Sequence, residues 1–295
     1  MNKLSELQVG ILYALGAYLM WGFAPVYFKY LGFIPVYEIL SHRVIWSVVV
    51  TALFITYLKH WPNVLEVACN YKSLLVLTIT SLLISCNWLV FIWAINNGKM
   101  LEASLGYFIN PIINVMLGLV FLSERLSRIK WFAVLLAFIG VSAQAWQVGE
   151  LPWVSLVLPI SFAFYGLLRK KVKVKAITGL FIETMVVLPV AAFYLMAMTD
   201  SDTSNLLLNT WSLNLWLMLA GVVTALPLIF FGQAALRLPL STLGFFQYLA
   251  PSLLFLFAVL VYDEPISFIK MFTFACIWFG IVVFVFENKL IKWFK

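Results

Sequence analysis

The sequence predicts an all-α polytopic membrane protein with ten transmembrane helices in two inverted five-helix repeats, and three observations carry that expectation. Of the 295 residues, 64% are hydrophobic and 11% charged. Soluble domains carry about 25% charged residues, and no soluble core absorbs so much apolar surface, so the bilayer is the solvent. The apolar residues fall in ten runs long enough to cross a ~30 Å hydrocarbon layer, which takes about 17–25 helical residues. Backbone groups facing lipid must be satisfied within the segment, which makes these runs helices. Finally, the chain repeats itself. Pro111 and Pro251 are 140 apart (251 − 111), as are Glu124 and Glu264, Lys130 and Lys270, Phe132 and Phe272, and Gly140 and Gly280. Leu105-Gly106 matches Leu243-Gly244 at a shift of 138. The two-residue slip would turn a regular helix by about 200°. It has to be absorbed near the prolines, where backbone hydrogen bonding is already interrupted. A period near half the chain means two halves of similar build, residues 1–147 and 148–295.

The spans lie near 9–30, 36–58, 73–97, 101–122, 129–147, 152–168, 177–198, 213–235, 241–261 and 268–288. The first follows a single lysine with no small-residue cleavage site, and reads as a retained helix. It carries Trp21 and a helix-breaking Pro25, and Trp21-Gly22 matches Tyr165-Gly166 of the sixth span at a shift of 144. The second opens with Glu38, His42 and Arg43, where Glu38 and His42 share a face at i, i+4. In the third, Asn87, Phe91 and Ala94 share a face, with Asn96 pointing away. Glu102 opens the fourth, where a carboxylate suits the helix dipole. Tyr107, Asn110, Pro111 and Asn114 then form one stripe at i, i+3, i+4, i+7. The ninth span repeats the pattern with Gly244, Gln247, Tyr248 and Pro251. Glu183 lies inside the seventh span, 140 after Arg43 (183 − 43) and opposite in sign. The longest loop is 200–209, and the three cysteines form no disulfide framework.

Basic residues set the orientation. With the N-terminus inside, cytoplasmic ends hold fifteen Lys and Arg, and outer ends hold four: Lys29, Arg43, Lys99 and Lys270. That bias places both termini in the cytoplasm. Five spans per half is an odd number, so the second half enters from the opposite side and the halves are inverted.

The net charge of +7 sits in short loops between apolar runs, which argues against nucleic acid as a partner. There is no P-loop, metal spacing or nucleophile–base order, so neither an enzyme nor a cofactor is expected. What remains is polar groups inside helices, which are costly in lipid and mark functional sites. Asn87, Tyr107, Asn110, Asn114, Gln247 and Tyr248 are candidate cavity residues. Trp21, Pro25 and Tyr165 complete the walls, and helix packing is the competing role. Aromatic walls suit uncharged or amphipathic solutes or organic cations. Depth separates Arg43 from Glu183 by about 10 Å. Arg43 is therefore matched with Glu102 or Glu38, and Glu183 with Arg169, giving one charged cluster near each mouth. These clusters serve as gates or as static pairs fixing helix register.

Trp21-Gly-Phe-Ala-Pro25, Glu38-Ile-Leu-Ser-His-Arg-Val-Ile-Trp46, Asn87-Trp-Leu-Val-Phe-Ile-Trp-Ala-Ile-Asn-Asn97, Leu101-Glu-Ala-Ser-Leu-Gly-Tyr-Phe-Ile-Asn-Pro111, Phe162-Ala-Phe-Tyr-Gly166, Ile182-Glu-Thr184 and Ser241-Thr-Leu-Gly-Phe-Phe-Gln-Tyr248 resemble RarD-type proteins. These form part of the EamA branch of the drug/metabolite transporter superfamily. The resemblance covers nearly the whole chain. It implies ten helices in two inverted repeats, a bacterial inner-membrane location and secondary transport of a small solute, export being the family default. Family members are often labelled chloramphenicol-sensitivity proteins. Small multidrug transporters of the superfamily hold a Glu in their first helix, and this first span has no carboxylate. Proton coupling through His42, Glu38 or Glu183 is an open route, and His42 titrates nearest neutrality when unperturbed. A passive facilitator and an intramembrane enzyme on lipid-linked substrates are the alternative classes. The substrate and the oligomeric state are not legible.

Overall fold

Apolar runs of this length close their own backbone hydrogen bonds, and the computed structural model describes residues 5–97, 99–148, 153–199, 201–260 and 267–287 as helices joined by short connections. In chain order these are α1 (Glu6–Tyr30), α2 (Val36–Tyr57), α3 (Trp61–Cys69), α4 (Tyr71–Asn96), α5 (Met100–Leu122), α6 (Arg128–Val148), α7 (Trp153–Val172), α8 (Ala176–Ala197), α9 (Trp211–Arg237), α10 (Leu240–Phe246), α11 (Leu249–Leu260) and α12 (Phe268–Val285). Eight of them, α1, α2, α4, α5, α6, α8, α9 and α12, are long and apolar enough to cross a membrane. The protein is thus an all-helical, polytopic membrane protein. The 20-residue α7 and the short pair α10–α11 fall below that measure and complete the bundle. The short α3 lies where only a loop was expected, and Pro62 in its first turn suits a helix start.

The main packing partners are α6 with α12, α5 with α7, α1 with α9, α2 with α8 and α9, α4 with α7, α5 with α10, and α1 with α11. Close approach at α6–α12 rests on two glycines. A Cβ on Gly140 would sit 3.0 Å from the Thr273 carbonyl oxygen, and one on Gly280 would sit 3.0 Å from that of Ala133. Small residues at such contacts let backbones meet where lipid provides no hydrophobic drive.

The two prolines behave differently. α5 runs unbroken through Pro111, so the expected interruption is absent there: its helix continues on both sides. In the second half the helix does break, and the residues between α10 and α11 are Gln247 and Tyr248. That break falls inside the interval where the second copy is two residues longer, since Gly106 to Pro111 is five positions and Gly244 to Pro251 is seven. Glu124 ties the end of α5 to the start of α10. Its carboxylate accepts from the Leu240 and Ser241 backbone N–H at 2.5 and 3.0 Å and from the Ser241 hydroxyl at 2.6 Å. Anion placement at a helix start answers otherwise unsatisfied donors. Glu264, the sequence partner of Glu124, lies outside the described residues, as does the side chain of Pro25.

Candidate functional site

The helix break puts polar side chains at the contact between α5 and α10. Gly244 makes this possible, because a Cβ there would meet the Asn114 Cβ at 2.9 Å and the Pro111 carbonyl at 3.0 Å. With the helices this close, the Asn114 amide donates to Gln247 Oε1 at 2.5 Å and, more weakly, to Asn110 Oδ1 at 3.4 Å. All three are buried, as are Pro111 and Pro251. The Tyr248 hydroxyl donates to the Phe108 carbonyl at 3.2 Å, one residue from the Tyr107 carbonyl that Pro111 frees. Asn110, Asn114 and Gln247 are therefore closed on one another, and Tyr248 is fastened to the α5 backbone. Tyr107 stands apart, exposed and in edge contact with Phe91 at 5.6 Å between ring centroids.

Trp21 and Tyr165 meet on shared aromatic partners. Trp21 of α1 lies 5.7 Å from Phe162 and 5.9 Å from Phe231, and Tyr165 of α7 lies 5.9 Å from both. Offset and edge-on contacts of this kind favour a rigid apolar centre. Asn87 belongs to the packing in this conformation. Its amide donates to the Leu158 carbonyl at 2.7 Å and the Ser161 hydroxyl at 3.0 Å, fastening α4 to α7. A cavity of about 10 Å³ lies between α2, α4 and α8, lined by Val44, Ile84, Trp88, Leu180, Glu183 and Val187 among others. That holds about one water molecule, so this cavity admits no organic solute.

The charged residues sort differently from expectation. Glu183 and Arg169 do pair, with Arg169 Nε 3.6 Å from Glu183 Oε1 and the side chains 3% and 1% exposed. Glu183 also accepts from Thr80 at 2.6 Å and from the Tyr165 hydroxyl at 3.4 Å. The Arg169 guanidinium donates to the Ala176 carbonyl at 3.2 Å and fills a notch left by Gly179 and Gly232. Arg43, however, pairs with neither Glu102 nor Glu38. Its Nε donates to the Thr224 hydroxyl at 2.9 Å, and its guanidinium lies 5.0 Å from the Phe28 ring centroid and 4.6 Å from that of Trp88. Aromatic faces and a hydroxyl take the place of the expected carboxylate. Glu102 is held by Lys99 at 2.8 Å. Glu38 accepts from Thr203, in the connection between α8 and α9, at 2.7 Å. The buried His42 has no hydrogen-bond partner on either ring nitrogen among the described residues.

With this geometry in view, the comparisons with known proteins are decisive. Residues 8–143 match the EamA-like transporter family. A Vibrio cholerae protein named as an uncharacterized transporter is 55% identical over 279 residues, spanning 95% of this chain and 92% of its own length. The protein RarD of Escherichia coli K12 is 51% identical over 282 residues, spanning 96% and 95%. The chain belongs to the RarD-type branch of the EamA-like transporter family. A solved crystal structure with 17% identity matches 93% of this RarD-type chain and 96% of its own at a TM-score of 0.72, so the helical architecture outlasts the sequence similarity.

Sequence reading of this RarD-type transporter missed Thr80, Thr224, Phe28 and Trp88. A signal existed for the first two. Thr80 and Thr224 are 144 apart (224 − 80), and they bond Glu183 and Arg43, which are 140 apart. A lone hydroxyl in an apolar helix is common, because it returns to its own backbone, and so it does not stand out.

Proposed function

We infer that this protein is a ten-span secondary transporter that exports a small organic solute across the bacterial inner membrane by alternating access, with both termini in the cytoplasm. The observation that carries the reading is the buried amide chain Asn110–Asn114–Gln247. It joins α5 to the helix break between α10 and α11. Discontinuous helices at a repeat interface are where secondary transporters bind solute, and buried amides that satisfy one another can exchange those bonds for bonds to a ligand.

The packing supports two inverted repeats. Exchanging the halves maps α1–α9 onto α7–α4, α5–α7 onto α11–α1, and α2–α9 onto α8–α4, and it leaves α2–α8 and α6–α12 in place. The glycine contacts obey the same exchange: Gly140 to Thr273 becomes Gly280 to Ala133, each residue moving by 140. The Lys and Arg distribution supports the orientation. Glu183 and Arg169 close the basic, cytoplasmic end. Thr203 on Glu38 fastens the outer connection over α2, and Glu38 with the unpartnered His42 is the route for a coupling proton.

The test is flux through purified protein in liposomes across a metabolite panel, with and without a pH gradient. Saturable flux of at least one solute, reduced by Gln247→Ala in protein that still reconstitutes, is the expected result. Unsaturable flux, or full activity of Gln247→Ala, would overturn the site.

A further inference from the structure

Arg43 is the charged group that the transport scheme leaves unexplained. It stands seven residues into α2 from Val36, about 10 Å along the helix. Among the described residues the ion pairs are Lys99–Glu102, Lys130–Glu287, Arg169–Glu183 and Arg237–Glu6, and none involves Arg43. Its counterpart Glu183 is paired with Arg169, so the two halves differ: one charge is answered and the other has no counter-charge among the described residues.

The way Arg43 is held leaves its functional edge free. Nε is taken by Thr224. Phe28 and Trp88 engage the guanidinium through their rings. Neither terminal nitrogen makes a hydrogen bond to a described residue, nor is either sealed from solvent as an orphan. A guanidinium fixed at Nε and stacked on aromatic rings presents two parallel N–H groups, the fork that carboxylate and phosphate oxygens accept in bidentate fashion. Rings around a cation with no counter-charge among the described residues suit an organic ion whose apolar part rests on the rings and whose oxyanion meets the fork.

We propose that Arg43 binds an oxyanion, carboxylate or phosphate, on the transported solute, an assignment that rests on the transport reading above. Thr224, Phe28 and Trp88 position the guanidinium. Among the described residues the cation stacks on rings and bonds one hydroxyl; an anionic solute supplies the opposite charge.

The test is equilibrium binding to purified full-length protein with matched probes: benzoate, phenyl phosphate, benzamide and benzylamine. At least one anion should bind more tightly than benzamide, and phenyl phosphate against benzoate separates the two oxyanion classes. Arg43→Gln should weaken that anion by about tenfold or more, the loss expected for hydrogen bonds to a charged group, and should abolish its preference over benzamide. Arg43→Lys, which keeps charge without the fork, should retain the preference at lower affinity and controls for misfolding. No anion preferred over benzamide, or a preference that survives Arg43→Gln, would overturn the proposal. Binding needs no flux, so anion binding without transport in liposomes would sink the transport reading alone. Saturable flux confined to neutral or cationic solutes would sink this inference alone.

Discussion

Removing Arg169 tests one proposed gate. Arg169 and Glu183 are 3% and 1% exposed and 3.6 Å apart, so water does not screen either one. Arg169→Ala leaves the Glu183 carboxylate with two neutral donors, Thr80 and Tyr165. Breaking a buried pair costs about 3–5 kcal/mol, because the remaining charge is uncompensated. The 3.6 Å separation favours the lower end. Some 3 kcal/mol shifts a two-state equilibrium by roughly a hundredfold. If the pair holds the cytoplasmic end shut, the whole cost falls on the closed state. Leu180→Cys, a buried position on the cavity wall, placed in a chain with Cys69, Cys86 and Cys276 replaced, reports the change. Arg169→Ala should speed its labelling by an impermeant maleimide in inside-out vesicles and not in intact cells. The double variant Arg169→Met/Glu183→Gln leaves no orphan charge and should restore protection. Unchanged labelling in the single variant, or an increase from the outer side, would refute the gate and leave a pair that fixes helix register.

Ser204→Cys, in the connection between α8 and α9, should react with an impermeant reagent in intact cells; protection there would remove the inverted arrangement. Asn110→Ala should lower or redirect liposome flux while inserting normally, and full flux would reduce the amide chain to packing. Gly140→Val and Gly280→Val each force a side chain against a carbonyl 3.0 Å away. Overpacking of this kind costs about 1–3 kcal/mol, so both should lower the melting temperature by similar amounts, and one silent variant would break the equivalence of the two contacts.

Much of the scaffold was legible because lipid imposes a simple rule on sequence: apolar runs become helices. The break at Gln247 and Tyr248 was foreshadowed by the change of shift from 138 to 140, because a helix cannot take up two extra residues without changing face. The Arg169–Glu183 pair was legible from two opposite charges near one end of adjacent helices. Arg43 was misread for a physical reason. Charge was matched only with charge, whereas a guanidinium also accepts aromatic faces and a hydroxyl, and with 17% aromatic residues no spacing singles out Phe28 or Trp88. Asn87 packs on Leu158 and Ser161 in this conformation, a contact not legible beforehand because helical periodicity fixes a face but not which neighbour covers it. The short α3 escaped because nine residues hold too little period to separate a helix from a loop.

The seam between α6 and α12 also has a history in time. Gly140 waits for Thr273, 133 residues further along the chain (273 − 140). At about 5–20 residues per second of synthesis, that is roughly 7–27 s, during which the glycine face of α6 meets lipid alone. α6 packs far more on α12 than on its neighbour α5, so the nascent first half cannot finish its own assembly. Only the arrival of α12 releases α6 from waiting. A ribosome that stalls before Phe268 leaves an inserted protein whose α6 glycine face has nothing to close on.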